Sequence, residues 1–535
     1  MTRFLLFMVG SLAAASSLAA SYTTTQITDN NYNDQYPKLN AKGDMAWTAW
    51  VNPSDTGWTV FLYDADTKTS SAISGNTVFF DSHQINANGD VIWTASDGHD
   101  QEVYLYSSVT HTTRQLTNND NDDTNPQLSD NGNASWLEKT PTNGAVLMNY
   151  DATTMSATPL VFAGATRQAL QTMNADGDVM WTADVGGNQD VLLYKAASGS
   201  ITNISNGISL ISSNPRLVDN GDIVWEAYDA TNYTESLMRY NAASGSTSTI
   251  ATNISGFMVG SEGDIVWTNY LGGTYSINTY DPMTDSSKVI ATNTGYRFNV
   301  AGISARGDVA WTTIVGTDWV SRVYNAETDS TIDLTVTQGA GVFEQHIADN
   351  GDVAWSLGDG TDYEVYTYQT ASGTLTQLTN NNVDDGVISM NANGALAWDR
   401  WDPTDSELFL AVKNNSELTL DVSKLKLELD RHDAEIKLMA EFTGASIPSP
   451  TDTIAIQVDD ATLLSVPFTD FRQKRAGVYK YKSDGVHVSI DFNRGKLKVS
   501  SENIDRKAIN PRDGLDVKVD FGSASAVDNY TFKRH

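Results

Sequence analysis

Residues 21–413 consist of short apolar stretches separated by polar, turn-forming residues. The stretches are four to seven residues long, rich in Val, Ile, Tyr, Trp and Thr, and bounded by Asn, Asp, Gly and Ser. None keeps the 3.6-residue period of an amphipathic helix. Stretches of this length and composition are typical of short β-strands.

One five-residue phrase recurs through this region. It reads Gly-Asp-Val-Ile-Trp at Gly89–Trp93 and occurs nine times with small changes, with successive glycines 42 to 46 residues apart. Pairs such as Asn88-Gly89 suit a tight hairpin that needs positive φ. The other copies are Gly43–Trp47, Gly132–Trp136, Gly177–Trp181, Gly221–Trp225, Gly263–Trp267, Gly307–Trp311, Gly351–Trp355 and Gly394–Trp398.

Two further stretches follow most copies of the phrase. One ends in tyrosine, as in Tyr104–Tyr106, and the other is a short polar stretch such as Arg114–Thr117. With the strand before the turn, each unit has four strands, and four short antiparallel strands in a unit of this length predict a β-propeller blade. We expect the tryptophan to fill the gap between stacked blades, and Asp90 and its equivalents to accept hydrogen bonds from turn or strand-end amides.

The ends of the repeat region predict how the ring closes. Thr23–Thr28 has the pattern of a fourth strand that precedes the first unit, and the ninth unit ends at Leu408–Ala411. The N-terminal strand would complete the last blade. Nine units predict nine blades, and eight blades with one degenerate unit is the alternative, since rings of four to eight blades are commoner.

The sequence repeat ends at about Asn414, where the balance of acidic and basic residues also changes. Residues 1–420 carry 16 Lys/Arg and 48 Asp/Glu, whereas residues 421–535 carry 18 of each. Longer alternating stretches such as Leu418–Leu429 and Leu515–Phe521 predict half-buried strands. The fold class is therefore all-β, with a propeller over residues 21–413 and a β-sandwich over residues 414–535.

The N-terminus predicts export. Arg3, the apolar run Phe4–Leu12 and the small residues Ala13–Ala20 form the pattern of a secretory signal peptide over residues 1–20. No later apolar run is long enough to span a bilayer, so we expect a secreted or periplasmic protein without membrane insertion. The absence of cysteine excludes disulfides and a lipoprotein anchor.

The net charge of -32 limits the classes of partner that the protein can bind. An acidic surface repels nucleic acid and anionic membranes, because binding them requires clustered cations. We expect no nucleic-acid partner, a glycan or a protein as the ligand, and a monomer.

The repeat resembles the TolB-type propeller repeat of bacterial exported proteins. The Pro-x-x-Ser-Pro-Asp-Gly phrase of that family is echoed at Pro37–Gly43, Pro126–Gly132 and Pro215–Gly221, and its closing Leu-Thr at Leu116-Thr117 and Leu378-Thr379. The resemblance covers residues 22–413 and implies the fold. It is weak for function, because such repeats occur in scaffolds, peptidases and polysaccharide lyases. No Gly-x-Ser-x-Gly elbow is present, which argues against a serine peptidase.

Three junctions between units are rich in oxygen ligands. Carboxylate and amide oxygens are the donors that Ca²⁺ prefers, so we interpret these junctions as candidate calcium sites, with no other cofactor expected. The alternative is that the side chains cap tight turns. The candidate ligands are Asp29, Asn31, Asn33, Asp120, Asp122 and Asp384.

A lyase acting on an anionic polysaccharide would need a cation to neutralise a carboxylate and a histidine to move protons. His83, His346 and Arg297 lie near the inner strands and could form such a set at the channel mouth, although a lone histidine in a strand is more often structural. We treat this enzyme as the alternative function.

Aromatic residues and carboxylates share the loops after the tryptophan strands. Rings beside polar groups suit sugar or protein contacts, and partial burial at blade edges is the alternative. The function we expect is therefore noncatalytic binding of a glycan or protein by these loops. The candidate binding residues are Trp50, Trp58, Asp100, Trp319, Tyr363 and Trp401.

Overall fold

The chain folds into two compact units, Thr23–Val412 and a second that includes Lys413–His535. The predicted signal peptide lies outside the described residues. The computed structural model describes residues 22–51, 57–141, 144–205, 211–229, 231–315, 318–337, 341–358, 360–370, 372–401, 405–413, 419–429, 433–443, 453–458, 461–475, 478–483, 485–492, 496–505, 515–521 and 524–530.

The first strand, β1 (Tyr22–Gln26), precedes a series of four-stranded repeat units. Units 1 to 3 contain β2 (Asn33–Leu39), β3 (Met45–Trp50), β4 (Thr59–Asp64) and β5 (Thr69–Ala72); β6 (Gln84–Ile85), β7 (Val91–Ser96), β8 (Gln101–Ser107) and β9 (Thr112–Gln115); and β10 (Asp123–Leu128), β11 (Ala134–Thr140), β12 (Gly144–Asp151) and β13 (Ser156–Pro159).

Units 4 to 6 follow with the same order. They contain β14 (Ala165–Met173), β15 (Val179–Val185), β16 (Asn188–Lys195) and β17 (Ser200–Asn203); β18 (Ile211–Leu217), β19 (Ile223–Asp229), β20 (Thr234–Asn241) and β21 (Ser246–Thr252); and β22 (Ile254–Val259), β23 (Ile265–Leu271), β24 (Thr274–Asp281) and β25 (Ser286–Asn293).

The last three units complete the series, and in unit 9 the fourth strand is β1, which pairs with β36. They contain β26 (Asn299–Ile303), β27 (Val309–Val315), β28 (Asp318–Asn325) and β29 (Ser330–Thr337); β30 (Val342–Ile347), β31 (Val353–Gly358), β32 (Tyr363–Gln369) and β33 (Thr374–Gln377); and β34 (Asp384–Met390), β35 (Leu396–Trp401) and β36 (Ser406–Lys413).

The ring is closed by contacts between its first and last units. The backbone N–H of Ile27 donates to the carbonyl of Leu408 (2.8 Å), and the Asn391 amide donates to the carbonyl of Asn40 (2.8 Å). First strands contact each other from unit to unit, including β2 with β34, so they lie at the centre of the ring.

The tryptophan of the second strand packs against the neighbouring unit in eight of the nine units, as predicted. Eight of the nine are at most 1% exposed and Trp267 is 5% exposed. Trp225 packs with Met180 and Leu193 of the preceding unit, and Trp47 packs with Leu408 and Leu410 of unit 9. Burial of this aromatic surface is the main force that joins one sheet to the next.

The aspartate of the repeated phrase accepts a backbone N–H from another turn of its own unit. This confirms the prediction that these aspartates accept hydrogen bonds from turn amides. Asp90 Oδ1 accepts the N–H of Ser108 (2.7 Å), and Asp178 Oδ1 accepts the N–H of Ala196 (2.9 Å). Gly89 has φ +89°, which glycine adopts without strain.

The second compact unit contains two further antiparallel sheets and one 3₁₀ turn, Phe468–Asp470. Side chains of both sheets, such as Leu438 and Ile456, belong to one apolar core. The strands are β37 (Thr419–Leu429), β38 (Asp433–Thr443), β39 (Thr453–Val458), β40 (Ala461–Pro467), β41 (Arg472–Arg475), β42 (Val478–Ser483), β43 (Val486–Asp491), β44 (Lys496–Asp505), β45 (Leu515–Phe521) and β46 (Ala524–Tyr530), in the orders β37-β38-β44-β43-β42-β41 and β40-β39-β45-β46.

Among the described residues, no helix has the length and apolar character that a membrane span requires.

Candidate functional site

The inner strands carry a recurrent irregularity that the sequence analysis missed. Their register against the second strand shifts in eight of the nine units, as between Ser213 and Arg216. Asn214 has φ +50° at this point and is followed by Pro215, which cannot donate to the ladder. A bulge of this kind redirects the side chains that follow it.

A cavity of about 520 Å³ lies among the inner strands and turns of units 5 to 8. Three of its polar residues, Asp219, Ser261 and Asp349, occupy the same turn position in units 5, 6 and 8, two residues before the repeated glycine. Arg216 adds a positive charge, and the apolar lining includes Met258. The repeated turn thus places carboxylates and a hydroxyl from separate units around one space.

The two carboxylates of this cavity have different environments. Burial raises the pKa of Asp349, a hydrogen bond to Ser261 lowers it, and the charge of Asp219 raises it further. Asp219 is exposed, and its Oδ1 accepts the N–H of Ala175 (3.2 Å). One carboxyl whose pKa is raised by burial beside one exposed carboxyl is an arrangement suited to acid–base chemistry.

The three residues predicted for a lyase do not come together. His83 is fully buried, with Nε2 3.2 Å from the carbonyl oxygen of Ala46, and burial lowers its pKa to about 4. His346 is half-buried on β30, and its pKa is also lowered by burial. Arg297 is exposed and donates to the carbonyl of Ser255. Within the described residues, no hydrogen bond or ion pair joins any two of them.

The predicted binding residues lie on several units. Trp50 and Trp58 meet edge to face at 5.3 Å, and Phe80 of unit 2 joins Trp58 at 5.2 Å. Trp319 and Trp401 are exposed in units 7 and 9, and Trp401 donates to Asp399 (2.6 Å). Tyr363 is half-buried on β32, and Asp100 lies in the loop before β8.

The junctions predicted to bind calcium share one hydrogen-bond network. An asparagine backbone N–H donates to a glutamate of the third strand, while its side-chain amide donates to the aspartate that opens or lies within the next first strand. The asparagine, glutamate and aspartate are Asn30, Glu407 and Asp34; Asn119, Glu102 and Asp123; and Asn381, Glu364 and Asp385. The glutamates were missed; their signal is the repeated Asp-x-Glu at Asp100, Asp362 and Asp405.

The predicted metal ligands lie around this network rather than inside it. Asp122 is half-buried; its Oδ1 accepts the N–H of Gln101 (3.2 Å), and its Oδ2 lies 3.6 Å from Lys139 Nζ. The five exposed members of the set are Asp29, Asn31, Asn33, Asp120 and Asp384. Calcium binding by this set stays a prediction.

Comparison with known proteins reveals similar structures. No protein-family model and no curated protein matches the sequence. Dipeptidyl peptidase 4 of Porphyromonas gingivalis is 10% identical, with a TM-score of 0.49 over 71% of this chain and 66% of that one. Puromycin hydrolase is 13% identical, with a TM-score of 0.38 over 76% of this chain and 58% of that one. A putative TolB of Agrobacterium tumefaciens is 12% identical, with a TM-score of 0.29 over 44% of this chain and 89% of that one.

The fold is a TolB-like β-propeller. The similar structures do not fix the number of blades or the class of the C-terminal domain, which stay predictions supported by the strand order. The chain spans less than two thirds of the length of dipeptidyl peptidase 4 and of puromycin hydrolase. The expectation of a noncatalytic binding protein is wrong on this comparison, because the similar structures include a dipeptidyl peptidase, a puromycin hydrolase and prolyl endopeptidases.

Proposed function

We propose that this chain is an exported hydrolase that acts on peptides in the cavity of units 5 to 8. The observation that carries the proposal is the pair formed by Asp219 and Asp349, which face one space and differ in burial. Mixed charge and apolar side chains in the lining suit a peptide, which carries the same mixture. Two acids against one arginine disfavour a polyanionic substrate.

The two carboxyl groups can act as general base and general acid in amide hydrolysis. Asp219, which is exposed, takes a proton from water as the water oxygen adds to the peptide carbonyl carbon. Asp349, whose protonated form is favoured by burial, donates its proton to the leaving nitrogen as the C–N bond breaks. The products are a carboxylic acid and an amine, and one proton remains to be exchanged between the two carboxyl groups and solvent.

Arg216 would orient the substrate rather than react. Arg216 lines the cavity, and its guanidinium donates to the carbonyl of Pro215 (3.1 Å) and can pair with the C-terminal carboxylate of a short peptide. We therefore expect an Arg216→Ala variant to raise KM for short peptides more than it lowers kcat.

The test is cleavage of a defined mixture of oligopeptides by the mature protein, followed by mass spectrometry. We expect Asp349→Asn and Asp219→Asn each to reduce kcat on the order of 100-fold. Asp130→Asn is the matched control, because Asp130 has the same turn position in unit 3 and accepts the N–H of Ala87 (2.9 Å) outside the cavity. Absence of cleavage by the wild-type protein, or equal activity of Asp349→Asn, would overturn the proposal.

A further inference from the structure

The loop between β7 and β8 brings three carboxylates together. Asp97, Asp100 and Glu102 each place one carboxylate oxygen within 4.8 Å of the others. Asp97 Oδ1 accepts the N–H of His99 (2.9 Å), which folds the loop back on itself. Three negative groups at this separation repel one another unless a proton or a cation lies between them.

Burial makes this repulsion costly. Glu102 is 0% exposed; burial raises its pKa and the nearby Thr117 side chain lowers it. Its Oε1 accepts the N–H of Asn119 (2.8 Å), whereas no hydrogen bond reaches its buried Oε2. Both carboxylate oxygens of Asp100 are also buried without a partner. A buried carboxylate oxygen without a donor costs free energy, and a bound cation would remove that cost.

The groups that face the cluster are mostly acidic. Burial raises the pKa of Asp100, and the charges of Asp97, Asp122 and Asp120 raise it further, so these acids lie close enough to act on it. The charge of His99 lowers the pKa of Asp100 weakly. Lys139 Nζ lies 3.6 Å from Asp122 Oδ2. The donor atoms of the cluster are all oxygens, which select a hard cation.

We propose that Asp97, Asp100 and Glu102 bind a Ca²⁺ ion, with Asp122 beside them as a further carboxylate. Calcium suits the site because it accepts flexible arrangements of carboxylate oxygens and completes its shell with water. The ion would hold the β7–β8 loop against the junction that leads to β10, since Glu102 also fixes Asn119 there.

Unit 8 repeats part of this arrangement. Glu364 is 0% exposed with Oε2 buried and unpartnered, and Asp384 accepts the N–H of Tyr363 as Asp122 accepts that of Gln101. Asp359, which matches Asp97, lies outside the described residues. The proposal is therefore limited to unit 2.

Tyr104 provides a local reporter for the test. Burial raises the pKa of Tyr104, and the charges of Asp97 and Glu102 raise it further, which places the ring near the cluster. Tb³⁺, which replaces Ca²⁺ at oxygen sites, should show luminescence sensitised through this ring and be displaced by added Ca²⁺. Tyr104→Phe should weaken the luminescence and leave Ca²⁺ affinity by calorimetry unchanged.

The decisive variant is Asp100→Asn, which removes one ligand charge and keeps the shape. We expect its Ca²⁺ affinity to fall on the order of 10-fold or more and its Ca²⁺-dependent rise in Tm to disappear. Asp66→Asn, at an exposed turn of unit 1, is the charge-matched control and should bind as the wild type does. A wild type without saturable binding, or an Asp100→Asn variant with wild-type affinity and an unchanged circular dichroism spectrum, would refute the site.

Discussion

At the scale of single residues, the aspartates of the Gly-Asp turns differ in one backbone hydrogen-bond donor. An aspartate that accepts this N–H stabilises the fold, whereas one that lacks it costs free energy. In the Gly-Asp turns, Asp44 Oδ1 accepts the N–H of Ala65 (3.0 Å), and Asp308 Oδ1 accepts that of Ala326 (2.8 Å). In unit 6 the corresponding donor position is Pro282, which has no N–H. Burial, together with the charges of Asp281 and Glu262, raises the pKa of Asp264 to about 7.

Restoring this donor should change how stability depends on pH. Because the folded pKa of Asp264 lies above its unfolded value of 3.8, this residue's contribution to the stability of the wild type falls as pH rises from about 4 to 7. In Pro282→Ala, the new N–H would favour the carboxylate and reduce that loss by about 1 kcal/mol. Urea unfolding at pH 4 and pH 7 measures the difference between variant and wild type.

The comparison across pH removes the contribution of proline itself, which acts through the unfolded chain at both pH values. Ala65→Pro is the reverse control: it removes the donor to Asp44 and should increase the loss of stability towards pH 7. A difference between Pro282→Ala and wild type that does not vary with pH would contradict the explanation.

At the scale of elements, the tryptophan strand joins each sheet to its neighbour. Trp225 is 0% exposed among side chains of two units, so Trp225→Ala should lower the free energy of unfolding by about 3–5 kcal/mol. Trp319→Ala, at a ring that is 38% exposed on β28, is the control and should cost much less. Equal losses in urea unfolding would mean that the buried rings do not join the units.

The repeated elements are also what the sequence could predict. The tryptophan and the Gly-Asp turn are present in the repeated units, and the closing strand follows from the number of strands in each unit. All three lie where the sequence predicts them. The pairing of Asp219 with Asp349 was not predictable, because the two residues belong to different units and meet only when the ring brings units 5 and 8 around one cavity. Glu102 was missed for a similar reason: its asparagine partner lies beyond the next strand, in the junction that leads to the following unit.

At the scale of the whole molecule, a closed ring requires that the contact between its last and first units be as strong as the contacts between other neighbouring units. Each such contact between two units is called a seam. Asn86 and Asn391 make matching bonds at two seams, and Asn86 donates in addition to Asp90 Oδ2 (3.3 Å) of its own turn. The amide of Asn86 donates to the carbonyl of Ser129 (3.0 Å) inside the series, and that of Asn391 donates to the carbonyl of Asn40 (2.8 Å) across the closure. Each also accepts two N–H groups of its own turn and is nearly inaccessible to solvent.

This equivalence gives a direct test of closure. Asn86→Ala and Asn391→Ala each leave two turn amides without their acceptor and remove one hydrogen bond to a carbonyl of the next unit, so each should lower the free energy of unfolding by about 1–3 kcal/mol. In a closed ring, where β1 also pairs with β36, the two losses should agree in urea titrations of the mature protein. In an open array the bond between units 9 and 1 would contribute little, so Asn391→Ala would lose only its turn bonds and would cost less than Asn86→Ala. Trp319→Ala serves again as the exposed control, and an Asn391→Ala variant that is clearly less destabilised than Asn86→Ala would show that the ring does not close.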